Sequence, residues 1–361
     1  MKIFITIYQM QEGGAARVTS TMINGLFAQG YDIILCTDTS YYTLFYPISD
    51  GVKVVSYNLK PIKRNKYIQM LKAIYQIRKY IKAEQPDIVV GVESIFYFLT
   101  KVACKGLGLP VIAVDHTSMS RNQGRFINWI RRHYYRTSAA LSILTHRDES
   151  LLGDTIPQKH VIYNPISFPP LDYHSLRKKT ILCVGRLNSW RVKGFDRMLD
   201  VWKKVSPYYP DWVLEIAGDG NSDSISQIND MIMSRELNGK VRLLGQVSDI
   251  RSLYQSTSIF ALSSRIEGLP MGLIEAMSQG CVCIAFSIYG IVDEIFGDSN
   301  SGIIINDDDI DSFVIELRKL MSFSEEQRYE FGKKAIERSK CFSEDTFLTN
   351  WIKLINDVKN N

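Results

Sequence analysis

Thr180-Ile181-Leu182-Cys183-Val184-Gly185 is a mostly apolar run closed by glycine, and it leads through Arg186-Leu187-Asn188-Ser189-Trp190-Arg191-Val192-Lys193-Gly194-Phe195 into an amphipathic stretch. The run reads as a strand, the next ten residues as a loop, and the amphipathic stretch as a helix. The same alternation continues on both sides. Later strands are predicted at 212–217, 241–244, 259–263, 281–286 and 302–305, and earlier ones at 2–8, 32–37, 52–57, 87–92, 111–115 and 141–145. Short apolar runs separated by helical stretches make βαβ units and parallel sheets, so the class is α/β and doubly wound. Ligands of such sheets sit beyond the carboxyl ends of the strands.

The alternation stops at Asn164-Pro165-Ile166-Ser167-Phe168-Pro169-Pro170, where prolines remove backbone donors and fix φ. This places a domain boundary there and predicts one domain over 1–165 and a second over 166–340. Helical stretches near 307–321, 324–338 and 343–358 close the chain, and the tail 341–361 is expected to cross back to the first domain. A length of 361 residues with 45% apolar side chains suits two cores. The longest uncharged run, 276–292, is broken by Ser278, Gln279, Gly280 and Gly290, so no membrane span is predicted. Residues 1–8 read as a first strand rather than a secretory leader. Six scattered cysteines without a Cys-x-x-Cys pair point to a reduced, cytoplasmic chain.

The chemistry concentrates in Glu267-Gly268-Leu269-Pro270-Met271-Gly272-Leu273-Ile274-Glu275, where a strand has ended and a helix begins near Pro270. Orphan amides and the positive end of the helix dipole at such a start suit a phosphate. One carboxylate on each side of a diphosphate suits sugar and ribose hydroxyls. Arg186 and Lys193, in the loop after the 180–185 strand, reach toward the same phosphates; each charge-assisted bond contributes roughly 1.5–3 kcal/mol. Two basic residues in a loop are more often solvated surface, and an isolated pair of glutamates eight apart is ambiguous; the two motifs together are not. Neither domain carries a Gly-x-Gly-x-x-Gly fingerprint, which argues against a simple dinucleotide enzyme.

These combined motifs resemble the retaining glycosyltransferases of family 4, with the GT-B fold of two Rossmann-like domains facing a central cleft. The resemblance covers essentially the whole chain. Gly13-Gly14-Ala15-Ala16-Arg17-Val18, Asn164-Pro165-Ile166, Gly218-Asp219-Gly220 and Leu244-Gly245-Gln246-Val247 are weaker landmarks that agree with it. It implies that Glu275 binds the ribose and Glu267 the donor-sugar hydroxyls. The Gly268, Leu269, Pro270, Met271, Gly272 and Leu273 segment, with Gly185, Arg186 and Lys193, then holds the diphosphate. Gly245, Gln246 and Val247 would frame the base, Gly13 and Gly14 would let backbone approach donor and acceptor, and His116 would face the donor sugar, with Asp115 orienting it. The resemblance also implies retention of configuration without a protein nucleophile, the departing diphosphate helping to deprotonate the acceptor. A nucleotide diphosphate sugar is the expected donor, UDP preferred to GDP, with no cofactor and no metal. The segment 286–294 departs from the Gly-rich acidic loop usual in the family, which leaves the donor sugar open. Asp307-Asp308-Asp309 offers an Asp-x-Asp pattern but reads as a helix start.

Charge is uneven: residues 1–170 carry 20 Lys and Arg against 11 Asp and Glu. No carboxylate occurs from 51 to 83, where Lys60, Lys63, Arg64, Lys66, Lys72, Arg78, Lys79 and Lys82 accumulate, nor from 121 to 136, which holds five arginines among Phe126, Trp129, Ile130, Tyr134 and Tyr135. Basic residues beside aromatics suit an anionic lipid surface, so 60–82 and 121–136 are expected to touch the inner membrane face, and a lipid-linked or glycan acceptor is expected; an ordinary solvated helix face stays open as an alternative. No nucleic-acid motif accompanies the charge. The function read from the sequence is sugar transfer in surface polysaccharide or glycolipid synthesis. The alternatives are a relative with other chemistry, a nucleotide-sugar epimerase or a phosphorylase, and a non-catalytic scaffold.

Overall fold

The structure, a computed structural model, describes residues 1–40, 43–59, 66–156, 158–172, 176–297 and 299–360. The chain divides into unit 1, Met1–Pro165 with Glu344–Asn361, and unit 2, Ile166–Ser343.

In unit 1 the strands are β1 (Lys2–Thr6), β2 (Asp32–Thr37), β3 (Lys53–Ser56), β4 (Ile88–Val92), β5 (Val111–Val114), β6 (Ala140–Ile143) and β7 (Lys159–Val161). They pair in parallel in the order β3-β2-β1-β4-β5-β6-β7. The connecting helices are α1 (Gly14–Ala28), α2 (Lys66–Glu84), α3 (Ser94–Ala103), α4 (Arg125–His133) and α5 (His146–Leu152). Alternate strand residues feed two apolar layers. Ile3, Ile5, Ile33, Leu35 and Val90 pack with Val18, Met22 and Leu26 of α1, whereas Phe4, Ile34, Val89 and Leu141 pack with Ile77 and Ile81 of α2 and Leu99 of α3.

Unit 2 repeats the plan with β8 (Lys178–Val184), β9 (Val213–Ala217), β10 (Val241–Gly245), β11 (Thr257–Leu262), β12 (Val282–Phe286) and β13 (Ile303–Ile305), in the order β10-β9-β8-β11-β12-β13. Its helices are α6 (Trp190–Lys193), α7 (Phe195–Val205), α8 (Ser222–Ser234), α9 (Ile250–Ser256), α10 (Met271–Ser278), α11 (Ile291–Phe296), α12 (Ile310–Met321) and α13 (Glu325–Ser339). The last helix, α14 (Glu344–Asn360), lies in unit 1. Phe347, Trp351, Leu354, Ile355 and Val358 recur at helical spacing and all enter the α1 layer; each such burial contributes about 1.5–3 kcal/mol.

Local features differ from the sequence expectations: the 186–195 stretch, read as a loop, holds a 3-10 turn at Leu187–Ser189 and the short helix α6. β7 was not predicted, because Lys159-His160-Val161 is short, half polar and only partly buried. The last helix begins at Glu344 rather than 341, because Lys340–Phe342 forms a 3-10 turn whose Phe342 carbonyl accepts the Ile166 N–H at 2.9 Å within unit 2. Among the described residues no helix is long and apolar enough to cross a membrane. All six cysteines are free, and all but Cys341 are buried.

Candidate functional site

The loop after β8 brings the basic residues of unit 2 to the carboxyl edge of the sheet. Lys193 ends the single turn α6, and its Nζ meets Glu267 Oε1 at 2.7 Å, with both side chains mostly shielded. Gly185 makes this possible: a Cβ there would sit 2.9 Å from Lys193 Cγ and Cδ, so the lysine stem lies across bare backbone. Arg186 projects from the same loop, exposed, and its guanidinium makes no hydrogen bond or ion pair with any described residue. The two cations therefore differ, Lys193 held by a carboxylate and Arg186 available to an anion.

The loop is fastened to the end of β11. Gly194 has φ +66°, and a Cβ would fall 1.7 Å from the Ser263 carbonyl oxygen, so only glycine allows this approach. Ser263 Oγ donates to the Lys193 carbonyl at 2.9 Å, and the Arg265 N–H donates to the Val192 carbonyl at 2.8 Å. Arg265 also grips Asp196 through two bonds of 2.7 and 3.0 Å. Beneath them lies Arg197, buried, whose Nε and Nη2 donate to the Ser263 and Ser264 carbonyls at 2.6 Å each. Its Nη1 meets Asp307 at 2.6 Å and Asp308 at 2.9 Å, and its guanidinium lies 4.0 Å from the centre of the Phe286 ring. Asp309 caps α12 by accepting the Ser312 N–H. The Asp-x-Asp pattern is thus consumed by an arginine and a helix cap, and among the described residues no group of three His, Cys, Asp or Glu side chains is arranged to hold a metal.

α10 starts directly after Glu267-Gly268-Leu269-Pro270. Pro270 is its N-cap, no side chain caps the helix, and its first turn holds no acidic residue. The first amides, Met271 and Gly272, thus lack helical partners and offer N–H groups at the positive end of the dipole. Leu269, Leu273 and Ile274 are buried beneath and fix the helix start. One turn on, Glu275 accepts from the Ser167 hydroxyl, and the buried Tyr254 hydroxyl lies 3.4 Å from its Oε2. Desolvation and the Glu275 charge push the Tyr254 pKa well above its usual value, so this hydroxyl stays protonated as a donor. Gly245 ends β10, with Gln246 and Val247 in the turn beyond it; the Gly218 N–H donates to the Gly245 carbonyl at 2.8 Å.

In unit 1, Gly13 precedes α1 and its N–H donates to Tyr46 Oη at 3.3 Å; a Cβ at Gly13 or Gly14 would meet nothing within 4 Å, so the space above both is open. His116 follows β5. Burial holds its pKa below 6.5, opposed by the Asp115 charge and by the neighbouring Asn164 amide, yet neither His116 Nδ1 nor Asn164 Oδ1 completes a hydrogen bond. Asp115 does not hydrogen-bond His116. It accepts from Tyr135 at 2.6 Å, Arg131 Nε at 3.0 Å, Ser94 Oγ at 3.1 Å and the Thr117 N–H at 2.9 Å. Arg131 in turn binds the Thr117, Ser118 and Arg121 carbonyls, each at 3.2 Å. It therefore points inward and shapes the loop carrying His116, rather than joining the outward arginines as the 121–136 pattern suggested. Lys60, Lys63, Arg64 and His174 lie outside the described residues.

Sequence reasoning grouped Arg186, Lys193, Glu267 and α10 but missed Ser167, Arg197, Tyr254 and Arg265. Arg197 was detectable in principle: it is a charge on the apolar face of α7, between Phe195 and Met198-Leu199.

A family model described as Glycosyltransferase Family 4 matches residues 12–168, and one described as Glycosyl transferases group 1 matches residues 173–338. The chain is 26% identical over 371 aligned residues to the Campylobacter jejuni GalNAc-alpha-(1->4)-GalNAc-alpha-(1->3)-diNAcBac-PP-undecaprenol alpha-1,4-N-acetyl-D-galactosaminyltransferase, covering 100% of this chain and 99% of that one. It is also 26% identical to the amylovoran biosynthesis glycosyltransferase AmsD of Erwinia amylovora, over 95% and 96% of the two chains. Among solved structures, sucrose-phosphate synthase from Thermosynechococcus elongatus matches with a TM-score of 0.83 at 14% identity, over 99% of this chain and 98% of that one. Anabaena HepE in complex with UDP matches at 0.79 and 14% identity, over 99% and 100%. Motifs, paired parallel sheets and family models agree: the chain belongs to the GT-B glycosyltransferases of family 4.

Proposed function

We propose that this protein is a retaining glycosyltransferase that moves a sugar from a UDP-sugar to a lipid-linked glycan in surface polysaccharide or glycolipid synthesis. The observation that carries the reading is the Lys193–Glu267 pair beside the uncapped start of α10, with the Arg186 guanidinium at the same edge unpaired among the described residues. In the reaction, the amides of Leu269, Met271 and Gly272, together with Arg186 and Lys193, take up the diphosphate charge without a metal. The bond from the anomeric carbon to the β-phosphate oxygen breaks, and the acceptor oxygen bonds to that carbon on the same face. The acceptor's proton passes to the departing phosphate oxygen. Glu267 accepts bonds from donor-sugar hydroxyls, Glu275 from the ribose, and the turn 245–247 borders the base. His116, with Gly13 and Gly14, serves the sugar and acceptor. The names of the two curated relatives favour a polyprenyl-linked or polysaccharide acceptor, and the UDP complex of the structural neighbour favours UDP. The test is a panel of UDP-hexoses and UDP-N-acetylhexosamines with undecaprenyl-diphosphate-linked N-acetylhexosamine. An α-linked product, identified by NMR, is expected; a β-linked product would exclude retention.

A lipid-linked acceptor calls for contact with an anionic membrane, and α2 and α4 suit it. Tyr67, Ile68, Leu71 and Tyr75 of α2 are each more than half exposed, whereas Ala73, Ile77 and Ile81 are buried. Lys72, Lys79 and Lys82 are exposed along the same helix. On α4, Phe126 and Trp129 stack 6.0 Å apart, both over 40% exposed, beside exposed Arg125 and Arg132. Each cation near an anionic leaflet contributes roughly 1 kcal/mol. Flotation with phosphatidylglycerol vesicles is expected to carry the protein upward at low salt, and a Tyr67→Ser, Leu71→Ser, Trp129→Ser variant is expected to stay below. Equal flotation of both proteins would remove this face from the reading.

A further inference from the structure

Glu93 follows β4 with φ +66° and ψ 151°, a backbone region essentially reserved for glycine. The surroundings hold it there. Its N–H donates to the Val114 carbonyl at 2.8 Å, and its own carbonyl accepts the Tyr97 N–H at 2.8 Å. The next residue, Ser94, is tied through its hydroxyl to Asp115 Oδ2 at 3.1 Å and to the Tyr135 hydroxyl at 2.7 Å. Glycine would keep all these bonds without strain. The Glu93 side chain is exposed and makes no hydrogen bond or ion pair with any described residue, so the fold draws nothing from the carboxylate.

Its position is where a parallel sheet binds ligands. The β1–β4 register pairs Thr6 with Gly91, and beyond β1 the Tyr8 ring packs against Phe96, three residues after Glu93, with centroids 5.5 Å apart. The β4–β5 register pairs Val92 with Val114, which sets Glu93 beside Asp115, with His116 next. Partial desolvation and the Asp115 charge raise the Glu93 pKa above the ordinary glutamate value, as a carboxylate with no cation partner requires. A carboxylate repels a diphosphate and accepts from hydroxyls.

We propose that Glu93 contacts the acceptor, its carboxylate accepting hydrogen bonds from hydroxyls of the acceptor's terminal sugar. This rests on the transferase reading above and adds a residue that neither the sequence motifs nor the resemblance assigned. The strain is then the signature of function, because removing it should stabilise the protein while impairing acceptor use.

The test compares full-length wild type with Glu93→Gly and Glu93→Gln, melted without ligand and assayed with UDP-N-acetylgalactosamine or UDP-galactose and undecaprenyl-diphosphate-linked N-acetylgalactosamine. Glu93→Gly is expected to melt about 2–4 °C higher. Its acceptor KM is expected to rise about tenfold or more, as for a lost bond to a charged group, with the donor KM within about twofold. Glu93→Gln keeps the strain, so its melting temperature should match wild type while its acceptor KM rises similarly. A lower melting temperature for Glu93→Gly, or an unchanged acceptor KM in both variants, would overturn the proposal. Absence of transfer by the wild type would refute the lipid-linked acceptor class instead. The melting comparison would still separate a carboxylate held for function from one held for structure.

Discussion

Among single residues Lys193 matters most, because its charge is matched by Glu267 and is carried on a stem lying over Gly185. In the proposed reaction this charge faces the leaving diphosphate. Lys193→Ala is therefore expected to lower kcat by about 10- to 100-fold or more, the loss of one or two charge-assisted bonds in the transition state, checked by steady-state kinetics. Glu275→Ala is expected to act differently, weakening UDP binding about tenfold while leaving binding of 2′-deoxy-UDP nearly unchanged, because it removes a ribose acceptor. His116 makes a pH prediction. Its folded pKa lies below 6.5, so as pH falls past that value the unfolded chain takes up a proton that folded His116 refuses. Stability is thus lost as pH drops from about 6.5 toward the folded pKa. His160 acts in the same direction, while the raised carboxyls of Glu93 and Asp148 oppose it at lower pH. Urea midpoints between about pH 6.5 and 5.5 should fall less steeply in His116→Gln than in wild type.

Between elements, the site depends on how the β8–α6 loop is bolted to the end of β11. Arg197 anchors that joint through two carbonyls and two carboxylates. Replacing it with methionine fills the volume but leaves the Ser263 and Ser264 carbonyls without their donor. A loss of about 3 kcal/mol or more in unit 2 is expected, read from denaturant unfolding. The same joint explains how far sequence reading reaches. Strand-loop-helix alternation announced β8 and β11, Gly185 closed β8, and Gly268-Leu269-Pro270 announced the start of α10, because periodicity and caps are local signals. The Arg197–Asp307–Asp308 contact spans 110 residues in sequence, so Asp307 and Asp308 read only as a helix start or a metal pattern. Arg131 is similar. It sits in an arginine-rich stretch that looks uniformly outward, yet the buried Asp115 turns it inward. β7 was missed because a three-residue strand at a sheet edge needs little apolar character.

For the molecule as a whole, two doubly wound parallel sheets were legible from alternation, whereas their strand order, 3-2-1-4-5 at the heart of each, is seen only in the structure; the proline-rich stretch lies where the units divide, at Pro165 and Ile166. Assignment of α14 to unit 1 follows from five apolar residues at helical spacing that complete the α1 layer. The family was legible because its motifs lie in loops at strand ends, where backbone chemistry restricts the choice of residues. The donor sugar and acceptor were not, since their recognition depends on side chains from separate strand ends. The proposed function stands on unit 2 binding a nucleoside diphosphate through Arg186, Lys193 and the start of α10. Calorimetric titration of the purified protein with UDP, GDP and ADP, without added metal, is the decisive measurement. Selective binding of UDP, weakened about tenfold or more in Lys193→Ala, is the expected result. Failure to bind any of the three, or equal UDP affinity in the variant, would contradict it.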